Sequence, residues 1–177
     1  MKNIVAIVGS ADLNSANHKL LLYLKKITER YFNLVIYEGL RSLPHFDPQL
    51  SISNPPDSII AFRQMIENAD GVIISTPEYV FSLPSGLKNA IEWSVATIIF
   101  TRKPLGIVTA SASGEKAHEE LQLIMETLGA TFNSGTTLLI QGIKGKVSEE
   151  NLVEDNPTKI ALTEFALALN LLIEKHL

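Results

Sequence analysis

The feature that most restricts the fold of this chain is a repeated alternation of short apolar runs with helix-periodic segments. The first run, residues 4–8, is continuous in apolar side chains and stops at Gly9, the pattern of a strand buried on both faces. Residues 17–30 then carry Leu20, Leu24 and Ile27 at helical spacing. Further strands are expected over 34–37, 72–75, 105–109 and 136–140. Helices are expected over 57–69 (Ile59, Phe62, Ile66, Ala69), 84–96 (Leu87, Ala90, Ile91, Val95) and 115–128 (Leu121, Ile124, Met125, Leu128). Pro84 fits a first helical turn, and Gly129 fits a C-terminal cap. Asn156-Pro157 reads as the cap and first residue of a final helix that runs to about residue 175.

Strands alternating with helices make a parallel sheet covered on both faces, and right-handed crossovers leave few topologies. Five strands suit an α/β, three-layer flavodoxin-like fold with strand order 2-1-3-4-5. No repeat or composition shift divides the chain, and its 177 residues suit a single domain over 1–177. The longest irregular stretch, 38–56, is rich in proline; long connections of this kind often serve a site or an interface.

Composition removes several function classes. With 46% hydrophobic residues the chain can build a core, and without Cys it has neither disulfides nor thiolate metal ligands. The balance of 15 Lys+Arg against 19 Asp+Glu shows no basic stripe, so no nucleic-acid partner is expected. No apolar segment is long enough to cross a bilayer, so no membrane partner is expected and the cytoplasm is the default location. His18, His45, His118 and His176 form no metal-ligand pattern, and His118-Glu119-Glu120 lacks the second His of a zincin. Residues 142–148 lack the Walker spacing, and neither Gly-x-Ser-x-Gly nor Gly-x-Gly-x-x-Gly occurs where a hydrolase or dinucleotide site would need it.

In sheets of this order ligands bind beyond the carboxyl ends of the strands, at the switch point between strands 1 and 3. Three loops converge there. The first, Gly9-Ser10-Ala11-Asp12-Leu13-Asn14-Ser15-Ala16-Asn17, feeds into a helix, and the free N–H groups of a helix start attract anions. Ser10, Ser15 and Asn17 can each donate to phosphate oxygens, although Ser15 or Asn17 equally suits a plain helix cap. In the second, Thr76-Pro77-Glu78-Tyr79-Val80-Phe81-Ser82-Leu83-Pro84, prolines stiffen both ends and Tyr79 offers a face to a planar ring. The third is Ala110-Ser111-Ala112-Ser113-Gly114-Glu115.

The segment Pro77-Glu78-Tyr79 through Leu83-Pro84 and Leu87-Lys88-Asn89-Ala90-Ile91-Glu92-Trp93 resembles the hallmark stretch of the NADPH-dependent FMN reductase family, which includes quinone, azo-dye and chromate reductases. Gly9-Ser10 with Ser15-x-Asn17 resembles its phosphate loop, and Leu43-Pro44-His45-Phe46-Asp47-Pro48 a stretch after its second strand. The resemblance implies noncovalent FMN, NADPH as co-substrate, a small-molecule electron acceptor such as a flavin or quinone, and a homodimer or homotetramer. It implies a cofactor phosphate against Ser10, Asp12, Ser15, Ala16 and Asn17, and a ring along Pro77, Glu78, Tyr79 and Val80. It implies a pyrimidine edge closed over by Ser111, Ala112, Ser113 and Gly114. No side chain is implied as a catalytic acid or base.

The chain departs from the family pattern at three places. Asp12 stands where many members carry a phosphate-contacting Arg, Val80 where many carry Asn, and 113–116 is poorer in glycine. A carboxylate beside a phosphate dianion repels it unless turned to solvent. The alternative is a flavodoxin-like binding or electron-transfer protein with weak or no FMN binding. The final helix is apolar around most of its circumference, and Trp93, Ile98, Ile99 and Phe100 end the helix before strand 4. Both are expected to meet a second subunit.

Overall fold

The computed structural model describes residues 1–12, 14–148 and 153–176. Five strands form one all-parallel sheet in the order β2-β1-β3-β4-β5. They are β1 (Lys2–Val8), β2 (Phe32–Tyr37), β3 (Gly71–Thr76), β4 (Leu105–Ser111) and β5 (Thr137–Gln141). In register, Ile4 stands between Leu34 and Gly71, and Ile107 between Ile74 and Thr137. The expected topology is therefore the observed one, with its switch point between β1 and β3.

Side-chain alternation along the strands divides the core in two. Val5 and Ile7 of β1, with Val72, Ile74, Leu105 and Ile107, meet α3 (Asp57–Glu67), α4 (Ser85–Glu92) and α5 (Glu115–Thr127). Ile4, Ala6 and Val8, with Ile73 and Val108, meet α1 (Ala16–Ile27) and α6 (Asn156–Glu174). With helices on both sides, β3 is buried at every residue. That is why the strand sequences read as continuous rather than alternating apolar runs.

The differences from expectation have local causes. The stretch 38–56 contains a short helix, α2 (Pro48–Ser53). Its cap is Asp47, whose Oδ1 accepts from the N–H of Gln49 at 2.8 Å and Leu50 at 2.9 Å. Helix α4 ends at Glu92, short of the expected residue 96, because the residues that follow turn inward. Trp93 is fully buried, and Ile99 and Phe100 join the same core, leaving only Ile98 of the expected contact set exposed. Helix α6 is capped by Asp155, one residue before Asn156. Asp155 accepts from Thr158 N at 2.8 Å, and that hydrogen bond with the one from the Thr158 hydroxyl holds its carboxyl below the usual range. Helix α6 carries apolar side chains around most of its circumference, as expected, but the chain itself covers only one side. Leu162, Phe165, Leu169 and Ile173 are buried, while Ile160, Leu167 and Leu171 remain exposed.

Candidate functional site

The three loops beyond β1, β3 and β4 come together as expected. Gly9 is fixed by close approach, since a Cβ there would lie 2.7 Å from the Thr76 hydroxyl oxygen, and its N–H donates to Ser75 O at 2.7 Å. The next residue, Ser10, is buried, and its Oγ accepts from Asp12 N at 3.1 Å and lies 3.4 Å from the Tyr79 hydroxyl. Asp12 is exposed, and its carboxylate accepts from Asn14 N at 2.9 Å, while its carbonyl accepts from Ser15 N at 3.0 Å. The loop thus holds itself together with its own polar groups. Leu13 lies outside the described residues.

Ser15 caps α1, accepting from His18 N at 3.3 Å. The helix start therefore keeps the N–H groups of Ala16 and Asn17 without partners among the described residues, as first-turn groups are. The Asn17 side chain corrects one expectation. It is buried, donates to Ala110 O at 2.9 Å, and accepts from the Ser75 hydroxyl at 3.0 Å. Its amide thus ties α1 to β3 and β4, and what Asn17 presents outward is its backbone N–H.

The second loop is shaped by strain and long-range ties. Tyr79 and Ser82 exchange two backbone hydrogen bonds of 2.9 and 3.0 Å, closing a two-residue hairpin. Its central residues, Val80 at φ 52° and Phe81 at φ 58°, are both left-handed, the type I′ arrangement that normally takes Asn-Gly. A β-branched residue and an aromatic one there are strained. Two carboxylates tie the loop to α5, one from the loop and one from the helix. Glu78 accepts from the N–H of Gly114 at 3.3 Å and Ala117 at 3.0 Å, so it caps α5 in place of the side chain Gly114 lacks. Glu120 accepts from the Ser82 hydroxyl at 2.7 Å and Leu83 N at 3.0 Å. The Glu78 side chain therefore faces α5, and the third loop has already committed the Gly114 N–H to it.

Behind the third loop, the His118 ring nitrogen Nδ1 lies 2.8 Å from the Thr109 hydroxyl. Burial lowers the pKa of His118, outweighing the opposing pull of Glu119. On the other side of Tyr79, the Leu43–Phe46 stretch is pinned to α4. Asn89 donates to Pro44 O at 2.9 Å and accepts from Phe46 N at 2.8 Å, and the Trp93 indole donates to Pro44 O at 2.8 Å. This explains Asn89 and Trp93 in the second-loop motif: they carry the segment after β2 to the site. A cavity of about 330 Å³ opens there, between Gly9, Tyr79, Gly86, Arg41 and His45. The sequence reading missed Arg41, which lies in an irregular stretch with no pattern to mark it.

Among the described residues no cluster of His, Asp or Glu suits a metal ion, and no helix is long and apolar enough to cross a membrane.

Residues 2–144 match the model of a family described as NADPH-dependent FMN reductase. An NADH:(hydroxy)cinnamate reductase subunit, CrdA, of Vibrio ruber is 35% identical over 129 residues, 71% of this chain and 63% of that protein. A quinone reductase of Escherichia coli K12 is 29% identical over 153 residues, 83% of this chain and 81% of that one. The solved structure of FerB, a flavoenzyme NAD(P)H:(acceptor) oxidoreductase from Paracoccus denitrificans, superposes with a TM-score of 0.87 at 28% identity, covering 99% of each chain.

Proposed function

The chain belongs to the NADPH-dependent FMN reductase family, and we propose that its three convergent loops hold FMN, phosphate at the start of α1 and ring along the second loop. The protein is an NAD(P)H-dependent oxidoreductase with FMN as its cofactor. When bound, FMN supplies the two-electron chemistry that links nicotinamide oxidation to reduction of an acceptor.

The observation that carries the placement is the open start of α1, where the N–H groups of Ala16 and Asn17 have no partner among the described residues and follow the capping Ser15 at the switch point of the sheet. Such a helix start suits a phosphate. The Asp12 carboxylate is exposed and accepts from Asn14 N, so in this reading solvent screens its repulsion of the phosphate. The chain's own part in the reaction is binding and orientation. Glu78 and Glu120 spend their carboxylates on backbone and hydroxyl donors, holding Pro77–Val80 as a fixed edge for a planar ring. Ser111, Ala112, Ser113 and Gly114 form the opposite wall. In this reading Ser113 N offers a donor, since no described residue accepts from it, whereas Gly114 N does not.

The acceptor in this reading is a quinone, a flavin or a similar planar small molecule, supported by the printed activities of the relatives. The reading places the protein in the cytoplasm, where NAD(P)H is held. It also has the chain assemble as a homodimer or homotetramer. Val95 and Leu123 line one apolar depression of about 270 Å³ between α4 and α5, and Ile160, Leu167 and Leu171 mark the outer side of α6. Both are surfaces a second copy would cover.

The test is retention of FMN. Protein mixed with FMN and passed through gel filtration should keep the flavin absorption bands, lose them on adding NADPH, and regain them on adding a benzoquinone. Elution free of flavin would overturn the reading and favour a flavin-free scaffold. Sedimentation at micromolar concentration tests the assembly, and a monomer mass would sink it.

A further inference from the structure

The cavity beside Tyr79 adjoins the first and second loops. It is bounded by Gly9, Ala11 and Tyr79, by Gly86 at the start of α4, and by Arg41 and His45. Its charge is one-sided. Arg41 and His45 are exposed and make no hydrogen bond or ion pair with the described residues, and no carboxylate lines the cavity. Neighbouring basic side chains are already engaged. Lys88 is 2.8 Å from Glu92, His18 is 2.7 Å from Glu38, and Arg63 bonds the carbonyls of Ser51 and Trp93. Arg41 is thus a cation with no carboxylate partner among the described residues, and the His45 imidazole lines the same cavity.

The cavity is also held open. Gly86 has no positive φ, and a Cβ there would meet nothing nearer than Leu40 Cβ at 3.9 Å. Neither backbone nor packing demands glycine at this position, unlike at Gly9. What its missing side chain leaves is room. The wall that carries His45 is rigid as well, because Asn89 and Trp93 pin the residues on both sides of it to α4.

We propose that this cavity receives the 2′-phosphate of the reducing nucleotide, with Arg41 and His45 selecting NADPH over NADH. A phosphomonoester concentrates close to two negative charges on one centre, and NADH lacks that group. A guanidinium and an imidazole converging on it supply charge-assisted, directional donors. The cavity, about 330 Å³, has room for a phosphate with its ribose. This inference rests on the reductase reading, which supplies the nucleotide.

Two measurements test it. On FMN-loaded protein, Arg41→Ala and His45→Ala should each lower the ratio of kcat/KM for NADPH over NADH, and together lower it at least tenfold. Gly86→Val should do the same by filling the cavity, with folding verified by circular dichroism. Calorimetry with 2′,5′-ADP and with 5′-AMP, on the same proteins, should show that the wild type prefers 2′,5′-ADP and that the Arg41→Ala, His45→Ala double variant loses that preference. Equal losses for NADPH and NADH, which would put the pyrophosphate here instead, overturn the proposal. So does an unchanged ratio, or equal binding of the two fragments by the wild type. If the protein retains no FMN the reductase reading fails, and the fragment titration still decides for or against the cavity.

Discussion

The first and second loops sit side by side at the mouth of the sheet, yet they are held by different physics. The first is stabilised mostly by its own residues: Ser10 and Asp12 each accept from an N–H two residues on, and Ser15 caps its own helix. The second makes one local hairpin bond pair and depends for the rest on Glu78 reaching α5 and Glu120 reaching back. Local hydrogen bonding is cheap in entropy and legible in sequence. Long-range ties can hold a loop in a backbone conformation its own residues disfavour, as Val80 and Phe81 show. One loop is held by bonds within itself, the other by ties to α5.

The comparison breaks first at Asn17, the one residue of the first loop that acts at long range. Asn17→Ala removes the buried bridge to Ala110 and Ser75 and should cost about 2–3 kcal/mol in urea denaturation; a loss below ~1 kcal/mol would mean the bridge is dispensable. Next comes Glu78. Glu78→Ala should cost about 1–3 kcal/mol and weaken FMN binding, whereas Glu78→Gln, which keeps one acceptor, should retain part of both. Equal behaviour of the two variants would show that capping α5 is not its role.

The strain in the second loop is measurable from the opposite direction. Phe81 is 75% exposed, so Phe81→Gly loses little burial and should stabilise the protein by about 1 kcal/mol by relieving the left-handed conformation. A destabilised variant would mean that the aromatic ring makes contacts outside the chain. In the first loop, Asp12→Asn keeps an acceptor for Asn14 N and removes one exposed charge, so FMN should bind only about two- to threefold tighter, less so at high salt.

The smallest effect is at His118. Its pKa is lowered in the folded state, so the folded protein binds fewer protons than the unfolded one as pH falls below the ordinary value of 6.5. Stability conferred by the neutral ring is present above that value and declines as the unfolded state takes up its proton. His118→Gln, which can still bond Thr109, should flatten the fall in Tm between about pH 7.5 and pH 5.5. An unchanged slope would assign the acid sensitivity to other groups.

Much of this was legible in the chain itself. Apolar runs bounded by Gly9 and by Pro84 placed the strands and the second loop, and Ser15 carried its own capping signal. Asp47-Pro48 carried one too, acceptor then fixed φ, and marks a helix that the irregular composition of 38–56 concealed. What sequence left open were questions of direction. Asn17 has the right type for a phosphate ligand, and only the packing of α1 on β3 and β4 turns its amide inward. Trp93 and Phe100 look like interface residues on a helical wheel, and only the early end of α4 puts them in the core.

The sequence by itself determined the layered parallel fold, through periodicity, breakers and caps that act between neighbours in the chain, and its motifs marked the family. The tertiary structure alone decided which way Asn17 and Glu78 face, what holds a strained hairpin in place, and that the segment carrying Arg41 and His45 borders a cavity beside Tyr79. Each of these depends on groups tens of residues apart being brought together, and a linear pattern carries no measure of that distance.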